Sequence, residues 1–451
     1  RALNSIGMFS RGRRVRRRFG GPFVRLWVGI TLASSGDGMA LGAVPLLAVV
    51  VDPHPVAVSA VAAADSLPWL LVALPAGAFA DRFERGPLMA LANIIRAFVI
   101  VAAALLVVSG HMKLWLLILV VLANAAARAA YYSSYQAIVP DLVKADELEH
   151  ANGVLMGTEA GTEHLAGPIL GSSLFAASNA LPFFVEGVMF VASCLPFVSF
   201  RTKAPRPTGS STSIWEGLRL LFADRHMRYL VLLVASLAGL QGMESGVLVL
   251  LATKVWGVRV GAYGLFLAVI AVGNLVGSVI TDRVVKRFGS ASTLVGAAVV
   301  SGIAYLIMAS ANSWHLASPA SVLGGVAVAV GSVCATSLRQ RLTPPEVMGR
   351  VGAAYRGIVW GAAPVGAIAA GSLAAIWSLR LPLLVAGVLQ ITIALVFAGP
   401  LLRSVRKDPG AEEPMEDAVG EDAQNLPVAE DGIMGPTTRV RAAHRRRRGS
   451  H

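Results

Sequence analysis

The stretch Gly77-Ala-Phe-Ala-Asp81-Arg82-Phe-Glu-Arg85-Gly86 ends one long apolar run, and Ser278-Val-Ile-Thr-Asp282-Arg283-Val-Val-Lys286-Arg287 ends another. One acidic and two basic positions recur 201 residues apart (282 minus 81): Asp81, Arg82 and Arg85 in the first stretch, and Asp282, Arg283 and Lys286 in the second. Matching charged segments at one constant separation predict that the chain consists of two related halves.

The composition around these stretches is that of a membrane protein. The chain has 451 residues, of which 55% are hydrophobic and 14% are charged, against about 45 to 50% and about 25% in ordinary soluble domains. This composition excludes a soluble enzyme. A membrane enzyme is not predicted either, because the chain lacks the Gly-x-x-x-x-Gly-Lys-Ser/Thr, Gly-x-Ser-x-Gly and His-Glu-x-x-His motifs of ATP-driven pumps and hydrolases.

Apolar runs between polar breaks predict an all-α polytopic membrane protein with twelve spans in two pseudo-repeated six-helix bundles. Spans 1 to 6 are predicted at about 23–49, 55–80, 87–109, 113–138, 151–178 and 180–200. Spans 7 to 12 are predicted at about 229–251, 259–281, 292–311, 314–338, 349–377 and 381–402. The predicted domains are a basic N-terminal tail (1–22), the first bundle (23–200), a linker with an amphipathic helix (201–228), the second bundle (229–402) and a disordered charged tail (403–451). Ser213 and Glu216 form a capping-box pattern at the start of the linker helix.

Basic residues alternate between the predicted loops and orient the chain. One set of loops holds only Lys113, Lys254, Arg259 and Arg380, while the other set, which includes Arg339 and Arg341, is rich in Lys and Arg, as are both tails. Because cytoplasmic loops are enriched in these residues, both termini are predicted to face the cytoplasm. The formal charge of +13 then reflects orientation and contact with the lipid bilayer, and no nucleic-acid partner is predicted.

The chain also resembles a known superfamily. The major facilitator superfamily has two halves of six spans and carries Gly-x-x-x-Asp-Arg-x-Gly-Arg after span 2. Gly77, Asp81, Arg82 and Arg85 match this motif, and Glu84 replaces its second glycine. The resemblance implies that Asp81 contacts the N-terminus of span 11 in only one of two access states.

Span 5 resembles the antiporter branch of this superfamily. Gly167, Pro168 and Gly171 match the core of its span 5 motif, whereas Glu163 and Ser172 stand where the motif has glycines. The runs YQAIVPDLVKADELEHANG and LRQRLTPPEVMGRV are similar to linkers of bacterial drug and siderophore exporters. The resemblance therefore implies a bacterial exporter of the proton antiporter type in the cell membrane.

Glycines spaced by four in spans 5, 8 and 11 are predicted to let helix backbones approach closely. They are Gly153, Gly157 and Gly161, Gly273 and Gly277, and Gly357 and Gly361.

Ionisable residues within the predicted spans are the candidate functional residues, because placing them in lipid costs at least about 2.5 kcal/mol. They are Asp37, Asp65, Arg96, Arg128, Glu159, Glu163, His164, Glu186, Glu244 and Arg356. In the superfamily spans 1, 4, 7 and 10 line the central cavity, which by resemblance places Asp37, Arg128 and Glu244 on it. Structural pairing is predicted for Arg96 and Glu186, whose spans are peripheral in the superfamily.

Four of the acids, Asp37, Asp65, Glu163 and Glu244, are the main candidates for proton coupling. Burial disfavours the charged form of a carboxyl group, so such an acid can hold a proton and release it when water or a cation arrives. The alternative is a protonated acid that merely bonds to a neighbouring helix. Glu159 and Glu163 share one helical face beside His164, so one of the two is expected to be neutral or paired with Arg128 or Arg356.

Metal binding is only a weak alternative for this cluster, since no third ligand has suitable spacing. Cys194 and Cys334 both lie inside apolar runs and predict neither a disulfide nor a metal cluster. No cofactor is predicted.

Together these features predict a secondary active transporter that exports small lipophilic or cationic compounds in exchange for protons by alternating access, as a monomer. Two alternatives stay open: an uptake or facilitative permease for a metabolite or lipid, and a membrane sensor that transports nothing. The sequence does not identify the transported compound.

Overall fold

A computed structural model describes residues 2–71, 84–198, 200, 214–344 and 347–406 as a helical protein. In the first half the helices are Ala2–Val51, Pro55–Leu71, Arg85–Val108, Leu114–Leu142, Leu148–Glu159, Gly167–Ala177 and Leu181–Val198, with a π-helical segment at Ala160–Ala166 and a short 3₁₀ turn at Ala145–Glu147. The first of these helices breaks at Gly20, where φ is 83°.

In the second half the helices are Arg225–Leu250, Tyr263–Phe288, Ser290–Ser310, Trp314–Leu342, Met348–Ile376 and Leu381–Arg406, with a π-helical segment at Leu251–Val255 and a 3₁₀ turn at Val260–Ala262. Most predicted boundaries agree with these within about four residues. Span 8 is longer than predicted and ends only at Gly289, where φ is 76°. Asp282 and Arg283 therefore lie in the last turns of a helix and not in a loop.

Ten helices of the described residues are long and apolar enough to cross a membrane. Predicted spans 2 and 5 are not among them. Span 2 is described only as far as Leu71, and span 5 is divided by its π-helical segment into helices of 12 and 11 residues. The membrane class is thus confirmed, while the count of twelve spans in two bundles stays a prediction.

The linker between the halves contains a short helix, Ile214–Ala223, as predicted. Leu221 is buried, and the backbone at Gly217 lies against the start of span 11, where a Cβ at Gly217 would be 2.5 Å from the carbonyl oxygen of Arg350. Asp224 then begins the helix of span 7, because its side chain accepts a hydrogen bond from the Met227 N–H at 2.7 Å. The two residues of the predicted capping box, Ser213 and the side chain of Glu216, lie outside the described part.

Three hydrophobic cores hold the helices together. The largest lies on the predicted outer side and takes residues from both halves, such as Leu47 and Phe183 of the first and Val247 of the second. The other two lie on the predicted cytoplasmic side, and each belongs to one half: one surrounds Phe23, and the other surrounds Leu230. The halves are therefore packed together on the predicted outer side and have separate cores on the other.

Close contacts between the halves lie at the same outer end. Gly371 of span 11 packs against Ser59 and Pro55 of span 2, and Lys254 donates a hydrogen bond from Nζ to the carbonyl oxygen of Pro53 at 3.2 Å. A side chain larger than hydrogen at position 371 would collide with span 2. The protein is thus in a state closed on the predicted outer side.

The glycine pattern gives a mixed result. Gly273 and Gly277 pack against the backbone of span 10, as predicted. A Cβ built at Gly153, Gly157, Gly161 or Gly357 would meet no heavy atom within 4 Å. The prediction of close packing is therefore wrong for these four glycines in this state. A glycine permits a neighbouring helix to approach closely, but it does not determine in which access state that helix is present.

Candidate functional site

Three adjoining cavities of about 590, 410 and 260 Å³ lie between the helices. All three are lined by Ser66 of span 2, and the first two also share Trp360 and Ala363 of span 11. The first-half and second-half spans both contribute to the walls. The cavities therefore lie between first-half and second-half spans, where transporters built of two repeats hold their substrate site.

Asp37 lies at the edge of this cavity, and its carboxylate is held by two arginines. Its Oδ1 accepts a charge-assisted hydrogen bond from Nη2 of Arg96 and lies 3.4 Å from Nε of Arg128. The side chain of Asp37 is only 6% exposed. An ionised carboxylate at this depth is stable because two positive charges face it.

Arg96 forms a structural pair, as predicted, with Asp37 as its partner, but at a buried and not a peripheral position. Its side chain is fully buried, although peripheral pairing alone was predicted for it. Besides Asp37 it donates to Asn124 at 3.0 Å and to Asn93 at 3.2 Å, and its guanidinium carbon lies 3.9 Å from the centroid of the Phe190 ring. One feature of the sequence could have indicated this buried network: the polar residue Asn93, one turn before Arg96 on span 3.

Arg128 connects Asp37 to Glu163 of span 5. Its Nη2 donates to Oε1 of Glu163, whose side chain is 14% exposed. Glu163 sits in the π-helical segment, a distortion that is frequent at functional sites. The predicted pairing of the Glu159–Glu163 cluster with Arg128 is therefore confirmed for Glu163.

Glycines bring spans 1 and 5 together at this point. A Cβ at Gly38 would lie 2.6 Å from the carbonyl oxygen of Thr162, and one at Gly167 would lie 2.5 Å from Cα of Gly38. Gly36 likewise leaves room for the Phe190 ring of span 6. The glycines beside Asp37 thus serve close helix packing.

Asp65 differs from Asp37, because it is exposed and faces the cavity. It forms no ion pair with any described residue, but lines the two smaller cavities together with Arg128. Glu159 and His164 line the 410 Å³ cavity with it. The first-half wall of the cavity is therefore rich in acidic side chains.

Glu244 occupies a different position. Its Oε2 accepts a hydrogen bond from the Tyr305 hydroxyl at 2.9 Å, which ties span 7 to span 9. Gln241 and Ser245, on either side of it along span 7, line the largest cavity. Glu244 is thus a partly buried, hydrogen-bonded acid, separate from the Asp37 cluster.

The span 5 stretch that resembles the antiporter motif makes a joint with span 8. Gly167, Pro168 and Gly171 are buried, and the Pro168 carbonyl lies directly against Gly264 of span 8. Ser172 donates to the carbonyl oxygen of Gly261 at 3.1 Å and accepts from the Gly264 N–H at 3.0 Å. The serine that departs from the antiporter motif therefore connects the two halves.

The charged motif is only partly within the described residues. Gly77, Asp81 and Arg82 lie outside them, so the predicted contact of Asp81 with span 11 stays a prediction. Arg85 forms a salt bridge with Asp141 of span 4 at 2.6 Å. In the second half Asp282 pairs with Lys286 one turn later at 3.3 Å, with both side chains mostly exposed.

Within the described residues, no group of three His, Cys, Asp or Glu side chains is placed to hold a metal ion. The cavity offers instead the carboxylates of Asp37, Asp65 and Glu163, the guanidinium of Arg128, and an end that is closed on the predicted outer side. Such an arrangement suits reversible binding of a small charged molecule or a proton.

Comparison with known families agrees with this architecture. Residues 20–425 match the family described as transmembrane secretion effector. The chain belongs to the major facilitator superfamily. It is 27% identical over 390 residues to the uncharacterized MFS-type transporter YfiS of Bacillus subtilis (strain 168), covering 81% of this chain and 90% of that protein. It is also 24% identical over 394 residues to the multidrug efflux pump Tap of Mycolicibacterium fortuitum, covering 82% and 95%.

Solved structures of the superfamily share the fold. A point mutant of the nucleoside transporter NupG superposes with a TM-score of 0.72 at 13% identity, covering 84% of this chain and 99% of the other. A bacterial homologue of the human lysosomal transporter Spinster, inward-facing and occupied, gives 0.69 at 15% identity, covering 86% and 97%. A bacterial homologue of ferroportin, also inward-facing, gives 0.62 at 20% identity, covering 84% and 98%. These structures support the fold, while the family match shows that the protein is a multi-span transporter of this superfamily.

Proposed function

We propose that this protein exports small lipophilic or cationic compounds across the bacterial cell membrane in exchange for protons, as a monomer with both termini in the cytoplasm. The observation that carries the proposal is the contrast between two deep acids. Asp37 is neutralised by Arg96 and Arg128, whereas Asp65 faces the cavity without an ion-pair partner among the described residues. An acid in the second situation is available to a proton or to a cationic compound.

In this mechanism Asp65 and Glu159 are the exchangeable acids on the cavity wall. A proton and a cation compete for them, because each neutralises the same negative charge in a water-poor site. Arg128, which bridges Asp37 and Glu163, responds to the result: when a proton taken up at Glu159 passes to Glu163 one turn further along span 5, Arg128 loses one of its two carboxylate partners. The bridge between spans 1, 4 and 5 then weakens and favours the alternative access state.

Export is the proposed direction because the match to the secretion effector family and the similarity to an efflux pump support it. The closed outer end leaves this state able to load from the predicted cytoplasmic side. Motion of the outer contacts at Gly371 and Lys254 would then release the compound outside.

The coupling role of Asp65 can be tested with Asp65→Asn in proteoliposomes, using ethidium as the probe. Two activities are measured: uptake driven by an imposed pH gradient, and exchange of labelled for unlabelled ethidium without a gradient. We expect gradient-driven transport to be lost and exchange to persist, because the neutral amide keeps the cavity but cannot release a proton. The control is Asp52→Asn, an acid-to-amide change in the loop between spans 1 and 2. Full gradient-driven transport by Asp65→Asn would refute the coupling role.

The uptake alternative predicts the opposite response to the gradient. In liposomes with the transporter in one orientation, an antiporter moves ethidium towards the more acidic compartment, whereas a proton symporter moves it away. No movement with either gradient, together with no exchange, would favour the sensor.

A further inference from the structure

The second half of the cavity wall carries two arginines that the proposed proton exchange does not use. Arg339 and Arg356 both line the first of the three cavities described above, whose volume is about 590 Å³. Arg339 was predicted to lie in a cytoplasmic loop, but the helix of span 10 continues to Leu342 and carries it. Arg356 lies on span 11 and is exposed to the cavity.

The two guanidinium groups converge on one point. A Cβ built at Gly352 would lie 3.2 Å from Nη1 of Arg339 and 3.6 Å from Nη1 of Arg356, so these nitrogens are no further apart than the sum, 6.8 Å. Gly352 itself has no side chain to place between them. Like charges this close repel one another unless an anion lies between them.

No described carboxylate neutralises this pair. The ion pairs of the described residues involve neither Arg339 nor Arg356, and Nε of Arg339 is buried without a hydrogen-bond acceptor. The Arg339 guanidinium lies 5.1 Å from the centre of the Tyr355 ring, within the range of a cation–π contact. Two neighbouring guanidinium groups without a carboxylate partner among the described residues suit the binding of a carboxylate or phosphate.

The opposite wall has the reverse charge. Asp65, Glu159 and Glu163 line the neighbouring 410 Å³ cavity, which shares Trp360 and Ala363 with the arginine-lined cavity. The rest of the arginine-lined cavity is uncharged, because apolar and aromatic side chains such as Ala297, Ala327 and Trp360 are mixed with neutral polar ones such as Gln241 and Ser301. The adjoining cavities therefore have an acidic wall, an uncharged and partly apolar lining, and a basic wall.

We propose that Arg339 and Arg356 form an anion-binding subsite, and that the transported compounds are amphoteric: an apolar body with a carboxylate or phosphate at the arginines and a cationic group at the acidic wall. This inference rests on the proposed function, because it assigns the cavity to the transported compound. It narrows the substrate class from lipophilic cations to molecules that carry both charges.

The test uses four naphthalene probes of nearly equal size: 2-naphthoate, 2-naphthamide, 2-naphthylmethylamine and 6-(aminomethyl)-2-naphthoate. Binding to the full chain in phosphatidylcholine nanodiscs is measured by calorimetry, without any gradient. We expect naphthoate to bind more tightly than the amide, and the doubly charged probe to bind most tightly. Arg356→Gln and Arg339→Gln should each weaken naphthoate binding by at least about tenfold, the loss expected for a hydrogen bond to a charged group.

The matched control is Arg287→Gln, which removes the same charge from an exposed position at the end of span 8. It should leave all four affinities unchanged. Gly352→Ala keeps both arginines but fills the space between them, so it should also weaken naphthoate binding. Because naphthylmethylamine is expected at the acidic wall, its unchanged binding shows that each variant is folded.

Equal affinities for naphthoate and naphthamide, or no naphthoate binding at all, would overturn the proposal. So would unchanged naphthoate affinity in both arginine variants. A lipid headgroup could supply the same anion, and nanodiscs containing phosphatidylglycerol distinguish this source: displacement of naphthoate by that lipid would overturn the assignment to a transported compound. If the proton-coupling test failed while the naphthalene probes still bound as expected, only the proposed function would be refuted.

Discussion

A double-mutant cycle on Asp37 and Arg96 tests whether the buried charge network holds the fold. Asp37→Asn would leave Arg96 fully buried with only the neutral acceptors Asn93 and Asn124 and the face of Phe190. Removing one partner from a buried ion pair destabilises a protein by about 3 to 5 kcal/mol. Arg96→Gln is milder, because Asp37 keeps Arg128 at 3.4 Å, and we expect a loss of about 1 to 3 kcal/mol.

The double variant should lose less than the two single losses combined, with a coupling of about 2 kcal/mol between these contacting residues. The assay is reversible unfolding in mixed detergent micelles, monitored by tryptophan fluorescence. Asp282→Asn is the control: it is also an acid-to-amide change in an ion pair, but Asp282 is 73% exposed, so its effect should stay below about 1 kcal/mol. Additive losses, or an Asp37→Asn effect no larger than that of the control, would refute the reasoning.

Three further predictions concern packing and access. Gly371→Leu should shift the protein towards an outward-open state, because the new side chain collides with Ser59 of span 2; distances between spin labels at the outer ends of spans 1 and 7 should lengthen. Gly157→Leu should have the opposite bias, since its Cβ meets open space here but would obstruct closure of the predicted cytoplasmic side; unchanged transport would contradict this. Glu186→Met should stabilise the protein by about 1 to 3 kcal/mol in the unfolding assay, because both carboxyl oxygens of Glu186 are buried and have no hydrogen-bond partner among the described residues; a loss of stability would contradict this.

The fold was predictable because only a few backbone structures satisfy their own hydrogen bonds in lipid. An apolar run of membrane length must satisfy its own N–H and C=O groups, so a helix follows from hydropathy alone. This reasoning located the helix of span 10 from Trp314 but ended it too early, before Arg339. A charged residue at a helix end breaks the apolar pattern without breaking the helix when its side chain faces a water-filled cavity.

The charged residues of the site could be predicted from the sequence, but the ion pairs that they form could not. Hydropathy singled out Asp37, Arg96 and Arg128 as charges inside spans, yet nothing in the sequence shows that Asp37 and Arg96, 59 positions apart, are ion partners. The pairing depends on the approach of spans 1, 3 and 4, which is a property of the packed helices. For that reason Arg96 was assigned to the periphery, and Asp37 was a candidate for proton coupling without its arginine partners being foreseen.

Once the surroundings of both acids are known, Asp65 is a better candidate for proton exchange than Asp37. A carboxylate already held by two arginines can take up a proton only if those contacts break, which costs several kcal/mol in a buried site. Asp65 has no such contacts to lose among the described residues, so a proton or a cation can bind to it within a single access state. Asp37 is better suited to keep Arg128 in place until Glu163 changes charge. The acid that exchanges protons and the acid that transmits the change are then different residues, connected by Arg128, which pairs with Asp37 and lines the same two cavities as Asp65.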